Sequence, residues 1–276
     1  MRMQRCLVNG QVQGDISCSD RGLLYGDGLF ETMAVVNGKL PLWAWHHDRF
    51  TRSCARLKLS CPPRAVLEAE IAQLASDVDR AVIKLMLTRG VGGRGYATQA
   101  DAIPTRILQR HAWPALPDSF WQTGIKAIFC EQRLARQPAL AGIKHLNRLE
   151  QVLARAEWDD PAIQEGVMTD TDGHIIEAVS HNIFIVAGGT VITPDLQFSG
   201  VAGVMRQYIL SYLEESGQTV KVTALRKQDL ITADGVFVCN SLHGIWPVCE
   251  LDGKHYPLNG LICELRDHIA HILPYP

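Results

Sequence analysis

The chain has 276 residues, 47% of them hydrophobic, and sets 27 Lys and Arg against 29 Asp and Glu for a net charge of -2. That length serves one large domain or two medium lobes around a cleft, and two lobes are the default expectation. The charge balance excludes the basic field a polyanion needs, so nucleic acid is not expected as a partner. No apolar run exceeds strand length, so no membrane span is expected either.

The opening "MRMQRCLVNGQV" is charged and soon turns, leaving no room for the apolar core of a signal peptide, and a cytoplasmic protein is the expectation. Eight cysteines (Cys6, Cys18, Cys54, Cys61, Cys130, Cys239, Cys249, Cys263) are scattered without a CxxC pair, which predicts reduced, mostly buried thiols and no metal. In "MAVVNGKLPLW", Asn37-Gly38 between apolar runs predicts a hairpin, because both residues tolerate positive φ. "WAWHHDRFTRSCARLKL" spaces Trp45, Phe50, Cys54 and Leu57 as a helical face, and "RAVLEAEIAQLAS" does so with Val66, Ile71 and Leu74. His46-His47-Asp48 are expected at the surface, since neighbours on a helix diverge by about 100 degrees and cannot chelate jointly.

"RAVIKLMLTRG" and "TRILQRHA" read as buried strands around the glycine-rich "RGVGGRGY". No helix follows that loop, so it is not a dinucleotide phosphate loop, and its Arg89 and Arg94 are suited to a carboxylate. Pro114 and Pro117 in "HAWPALPDSFW" mark a linker. The expected division is a small domain over 1–113, a linker over 114–122 and a large domain over 123–276.

The large domain is expected to begin with a strand from Ile125 to Cys130, then a loop carrying Lys144. A helix from near Leu146 follows, with Leu146, Leu149, Leu153 and Ala156 on one face. "GVMTDTDGHIIEAVSHNIFIVAGGTVITP" predicts an antiparallel meander, and "GVAGVMRQYILSYLEESG" a helix entered through Gly200 and Gly203. "DGVFVCNSLHGIWPV" is a buried strand running into a polar turn, and "LNGLICELRDHIAHIL" is a closing helix. The class is α/β, in its α+β form.

Four features admit chemistry, each beside a bland alternative. The glycine-led helix offers backbone N–H groups to an anion, or is an ordinary helix entry. Asn240-Ser241 is a second anion contact, or a turn that satisfies itself. Glu177 in "HIIEAV" is a buried carboxylate with a partner, or points to solvent. Lys144, at the amino end of the expected helix where the dipole disfavours a cation, is a solvated side chain or a reactive amine.

"DRGLLYGDGLFET", "HHDRF", "TRGVGGRGY", "GIKHLNRLEQVLAR", "IIEAVSHNIF", "GVAGVMR" and "VCNSLHGIWPV" together resemble the fold-type IV pyridoxal phosphate enzymes, in the family's order and over nearly the whole chain. That family includes branched-chain and D-amino acid aminotransferases and aminodeoxychorismate lyases. "GGRGY" followed by "AGIKHLNRLEQVLAR" is most similar to the lyase branch, which forms 4-aminobenzoate and pyruvate from 4-amino-4-deoxychorismate in folate biosynthesis.

The resemblance implies a two-domain fold, a small α/β domain and a larger strand-rich pseudo-barrel, with pyridoxal 5′-phosphate between them, assembled as a homodimer. It implies that Lys144 joins the cofactor's aldehyde and moves the substrate proton once displaced, and that Glu177 keeps the pyridine nitrogen protonated. Arg49, the backbone at Val204 and Met205, Asn240 and Ser241 are implied around the phosphate. Arg94, with Tyr96 and Arg89, is implied at a substrate carboxylate. Phe30 stands on the substrate side where several aminotransferases of the family carry a tyrosine. Glu31 is compatible with the aminotransferase relatives too, and Asn147 and Arg148 either touch the cofactor or pack the helix start. The alternative within the family is a D-amino acid or branched-chain aminotransferase, which needs a keto acid; a non-catalytic binding module is a reading from another class.

Overall fold

In a computed structural model of the chain, which describes residues 5–12, 14–99 and 101–274, the alternating runs of the first third form one antiparallel sheet. Its strands are β1 (Cys6–Val8), β2 (Gln11–Val12), β3 (Gly28–Val36), β4 (Arg80–Thr88) and β5 (Thr105–His111), in the order β2-β1-β5-β4-β3. Successive strand residues face opposite sides. Leu29, Met33 and Val35 of β3, with Ile83, Leu85 and Leu87 of β4, therefore share one buried face. Phe50 and Cys54 of α2 (Trp43–Leu57), and Leu67, Ile71 and Leu74 of α3 (Arg64–Ala75), complete that core. Leu67 takes the inward position expected of Val66, which is 36% exposed.

Asn37 and Gly38 adopt φ of 50° and 69°, as expected of the turn. The hairpin itself stops at one bridge, Val36 to Lys39, and β3 pairs along its length with β4. Pro41 has no N–H to extend a returning ladder.

The second unit is built on a nine-stranded sheet. Its strands are β6 (Ile125–Leu134), β7 (Glu165–Asp170), β8 (Ile175–Ala178), β9 (Asn182–Ala187), β10 (Thr190–Pro194), β11 (Val220–Thr223), β12 (Gly235–Asn240), β13 (Gly244–Leu251) and β14 (Lys254–His255). The order is β11-β10-β9-β12-β13-β6-β7-β8, with β14 on β13. The expected meander is instead two hairpins, β7–β8 and β9–β10, towards opposite ends of this order. Ile175 of β8 bridges Leu225, just beyond β11, so the sheet curls towards closure.

The chain divides into Met1–Pro114 with Lys144–Asn147, and Ala115–Ile143 with Arg148–Pro276. The stretch 114–122, expected as a linker, carries the short helix α4 (Ser119–Gln122), whose Trp121 is 2% exposed within the second unit's core. α5 (Leu149–Arg155) starts later than expected, and its apolar stripe faces outward: Leu149 is 75% exposed, Val152 60% and Leu153 57%, while Gln151 and Ala154 are buried. α6 (Val204–Glu215) follows its two glycines as expected. No helix among the described residues is long and apolar enough to cross a membrane.

Candidate active site

In the first unit, residues 144–147 run as an extended segment beside β3. The Phe30 N–H donates to the Lys144 carbonyl at 2.9 Å, and the Leu146 N–H donates to the Gly28 carbonyl at 3.0 Å. Lys144 is thus not at a helix start, and the dipole argument for it fails; α5 begins only at Leu149. What fixes the lysine is a strand edge, which carries its half-buried ammonium over the Phe30 ring, 4.5 Å from the centroid. A second cation that the sequence did not single out, Lys84, stands 5.1 Å from the same centroid. Lys84 pairs with Thr32 across β3 and β4, on the face that also carries Phe30, and no carboxylate pairs with it among the described residues. Asn147 is a strut: its Nδ2 donates to the Gly26 carbonyl at 3.1 Å.

On the helix-covered side of β3 lies Glu31, 1% exposed. Arg49 of α2 forks onto it, Nε donating to Oε1 at 2.9 Å and Nη2 to Oε2, and His46 donates from Nδ1 to Oε2 at 2.6 Å. The surface position expected for His46 is corrected, since it is 1% exposed. His46, Arg49, Phe50 and Ser53 stand at i, i+3, i+4 and i+7 on the inward stripe of α2, a pattern visible in the sequence. Burial alone would raise the Glu31 carboxyl, but the Arg49 charge and the His46 hydrogen bond outweigh it and hold it at about 2. Burial lowers His46, Glu31 opposes this, and the Arg49 and Lys144 charges add to the lowering, so His46 is neutral.

This cluster yields a stability prediction. Glu31→Ala leaves the Arg49 guanidinium, 7% exposed, without its carboxylate, and should cost about 3–5 kcal/mol in urea unfolding. The folded carboxyl at about 2 lies below its ordinary 4.5, so its contribution is full above pH 4.5 and is lost as pH falls through 2. The variant should lack that acid-sensitive component; an unchanged urea midpoint contradicts the account.

The loop after β4 is held by arginines. Arg89 donates to both oxygens of Asp27, at 2.8 and 3.0 Å, and to the carbonyls of Leu57 and Lys58 at 2.9 and 2.7 Å. Its guanidinium is committed to the protein. Arg21, missed in the sequence, reaches from Asp27 at 2.9 Å to the Gly95 carbonyl at 2.9 Å. Burial opposes the ionised Asp27, but the two arginines keep its carboxyl low. Beyond them Arg94 is exposed, as is Tyr96 at 85%.

In the second unit, Glu177 of β8 is 5% exposed. Its Oε2 accepts from the Val201 N–H at 2.7 Å and its Oε1 from Gln151 Nε2 at 3.3 Å. Gln151 Oε1 is buried and accepts no hydrogen bond among the described residues. Gly200, at φ +82°, leaves no room for a side chain, because a Cβ would lie 2.5 Å from Ile176 Cγ2 and 3.2 Å from Glu177 Oε2. Gly142, two residues before Lys144 in sequence, bridges Val201.

Gly203 caps α6 with no side-chain acceptor, and no acidic residue stands in the first turn. The amides at Val204 and Met205 there suit an external anion. A Cβ on Gly203 would fall 1.9 Å from Asn182 Oδ1, so the entry cannot carry a side chain. Arg206, buried in that turn, donates to Thr193 Oγ1 at 3.3 Å and the Pro194 carbonyl at 3.0 Å. Asn240 spends its Oδ1 on the Leu242 and His243 amides at 2.9 and 2.7 Å, shaping the turn that presents Ser241. Among the described residues no group of three or more His, Cys, Asp or Glu could hold a metal.

The model of the family described as amino-transferase class IV matches residues 28–251. The aminodeoxychorismate lyase of Vibrio harveyi is 39% identical, covering 95% of this chain and 98% of that protein. The D-alanine aminotransferase of Bacillus licheniformis is 26% identical, over 91% of this chain and 89% of its own length. Among solved structures, 4-amino-4-deoxychorismate lyase from Pseudomonas aeruginosa superposes with a TM-score of 0.93 at 44% identity, covering 98% of this chain and 100% of that one.

Proposed function

The chain belongs to the class IV aminotransferase family, and from that premise we propose that it is a pyridoxal 5′-phosphate-dependent lyase that converts 4-amino-4-deoxychorismate to 4-aminobenzoate and pyruvate. The observation that carries the reading is Lys144, fixed at a strand edge over Phe30 in a chain 39% identical to a lyase along 95% of its length.

The residues present fit the cofactor. A buried carboxylate on Glu177 suits a ring nitrogen, and the uncapped first turn of α6 and the turn at Ser241 suit a phosphate. When bound, pyridoxal phosphate supplies an aldehyde that condenses with primary amines and a protonated ring that accepts the electron pair of a deprotonated carbon.

Lys144 is the amine offered to that aldehyde. With the substrate's amino group at that aldehyde in its place, Lys144 would be a free base able to take the proton from the ring carbon bearing nitrogen. The departing enolpyruvate becomes pyruvate on gaining a proton at its methylene carbon, and the remaining ring is aromatic. Glu177, oriented by Val201 and Gln151, holds the ring nitrogen's proton. Arg49 supports the phosphate from its Glu31-braced position. Lys84 and Arg94 receive the substrate carboxylates, with Tyr96 beside Arg94. Phe30 presents no hydroxyl to the substrate. Arg89 acts indirectly, by holding the base of the Arg94 loop through Asp27.

Incubation with 4-amino-4-deoxychorismate alone should release 4-aminobenzoate and pyruvate in equal amounts. Turnover of D-alanine with 2-oxoglutarate, and no product from 4-amino-4-deoxychorismate, would overturn the proposal in favour of an aminotransferase.

A cytoplasmic homodimer completes the proposal. The outward stripe of Leu149, Val152 and Leu153 supports an apolar contact between copies. Sedimentation should give a dimer that a Leu149→Asp, Leu153→Asp double variant weakens; a monomeric parent protein contradicts this.

A further inference from the structure

Glu165, at the start of β7, is 2% exposed and has no part in the chemistry above. Its Oε1 accepts from the Gly166 N–H at 3.1 Å. Its Oε2 accepts from Ser180 Oγ at 2.6 Å, from the Ser180 N–H at 3.3 Å and from His181 Nδ1. His181, 5% exposed, places its other ring nitrogen, Nε2, 3.2 Å from His243 Nδ1. That same His243 Nδ1 lies 3.3 Å from Asn240 Nδ2. Trp246 stacks on His243 at 4.2 Å and lies 4.8 Å from His181, sealing the chain of rings.

The protons in this chain follow from counting donors. Asn240 Oδ1 accepts from two backbone amides, so its orientation is fixed and its Nδ2 is what faces His243. An amide nitrogen only donates, so His243 Nδ1 presents a lone pair and the ring's single proton sits on Nε2. A lone pair at His243 Nδ1 requires an N–H on His181 Nε2. His181 Nδ1 already donates to Glu165. Two protons on one imidazole make it a cation. Burial first, and then the neighbouring His181 charge, push His243 down to about 3, in keeping with a neutral ring there.

We propose that His181 is a buried imidazolium paired with Glu165, and that through His243 and Asn240 it positions the turn that presents Ser241 to the cofactor's phosphate. The second half rests on the reading above that this turn receives phosphate. With a neutral His181, either lone pair would meet lone pair at His243 Nδ1, or that nitrogen would carry the ring's proton and Asn240 would lose the acceptor for one of its two amide protons; the Ser180 carbonyl, at 3.3 Å, takes the other. His181 and His243 are positioning residues, since neither is given a contact with substrate or cofactor.

The test is ring-nitrogen NMR on protein labelled with nitrogen-15 histidine, free of cofactor and at neutral pH, which needs no variant to fold. Expected are two protonated nitrogens on His181, and on His243 a lone pair at Nδ1 with a proton at Nε2. A lone-pair nitrogen on His181 overturns the charge assignment. His243→Phe keeps a ring against Trp246 and removes the acceptor, and should raise the dissociation constant for pyridoxal phosphate about tenfold. Unchanged affinity overturns the positioning role. If Ser241→Ala also binds pyridoxal phosphate normally, the phosphate reading of the turn fails while the charge pair stands on its own measurement.

Discussion

Lys144→Ala should abolish lyase turnover, by about 10³-fold or more, and with it the visible absorbance of the covalently held cofactor. The loss should be chemical and not structural. The segment carrying Lys144 is held by backbone hydrogen bonds with Phe30 and Gly28, which the substitution leaves in place. The fold loses the ammonium's contact with Phe30 among its side-chain interactions, and that contact is worth about 0.5–1 kcal/mol where partly exposed. Thermal unfolding should therefore move little. Lys144→Arg sharpens the comparison, since arginine keeps a cation near Phe30 but offers no amine to an aldehyde and stays protonated. It should be as inactive as the alanine variant, and normal turnover in either contradicts the assignment.

Glu177→Gln should keep the cofactor and lower kcat by about 10²-fold or more. Glutamine can still accept the Val201 N–H through its carbonyl. Its new amide can donate to Gln151, whose Oε1 accepts nothing among the described residues of the parent protein and can turn to meet it. The hydrogen bonds then survive while the negative charge does not, and the ring nitrogen's proton loses its counter-ion. Glu177→Ala is harsher, because the buried Val201 N–H is left unsatisfied at about 1–3 kcal/mol. Unchanged turnover in the glutamine variant would show that Glu177 serves packing alone.

Elements whose signal is local were legible in the sequence. The periodicity of α2 and α3, the paired strands β4 and β5, and the glycine entry to α6 appear where the residue pattern puts them. What periodicity cannot supply is the partner. Leu149 and Leu153 form the stripe their spacing predicts, but nothing in a stripe says whether protein or another surface covers it. Lys144 looked like a helix residue because "HLNRLEQVLAR" is helical in composition. Its place is set by β3, far earlier in the chain, so the pairing is invisible to any local window.

The candidate site divides the same way. Lys144, Glu177 and Arg49 are singled out by the family's motifs, and their roles are the ones the experiments above test. Their braces were not: Glu31 beneath Arg49, Gln151 beside Glu177, and Arg21 behind the loop of Arg94 each act across long sequence separations. His46 lies among adjacent polar residues that suggest a solvated face, whereas its spacing to Arg49 and Phe50 puts it on the buried one.

The central claim, that Lys144 carries the cofactor, is tested most directly by reducing the pyridoxal phosphate-loaded protein with borohydride, digesting it and locating the pyridoxyl group by mass spectrometry. The account predicts the label on Lys144. A label on Lys84, the other ammonium over the Phe30 ring, would contradict it.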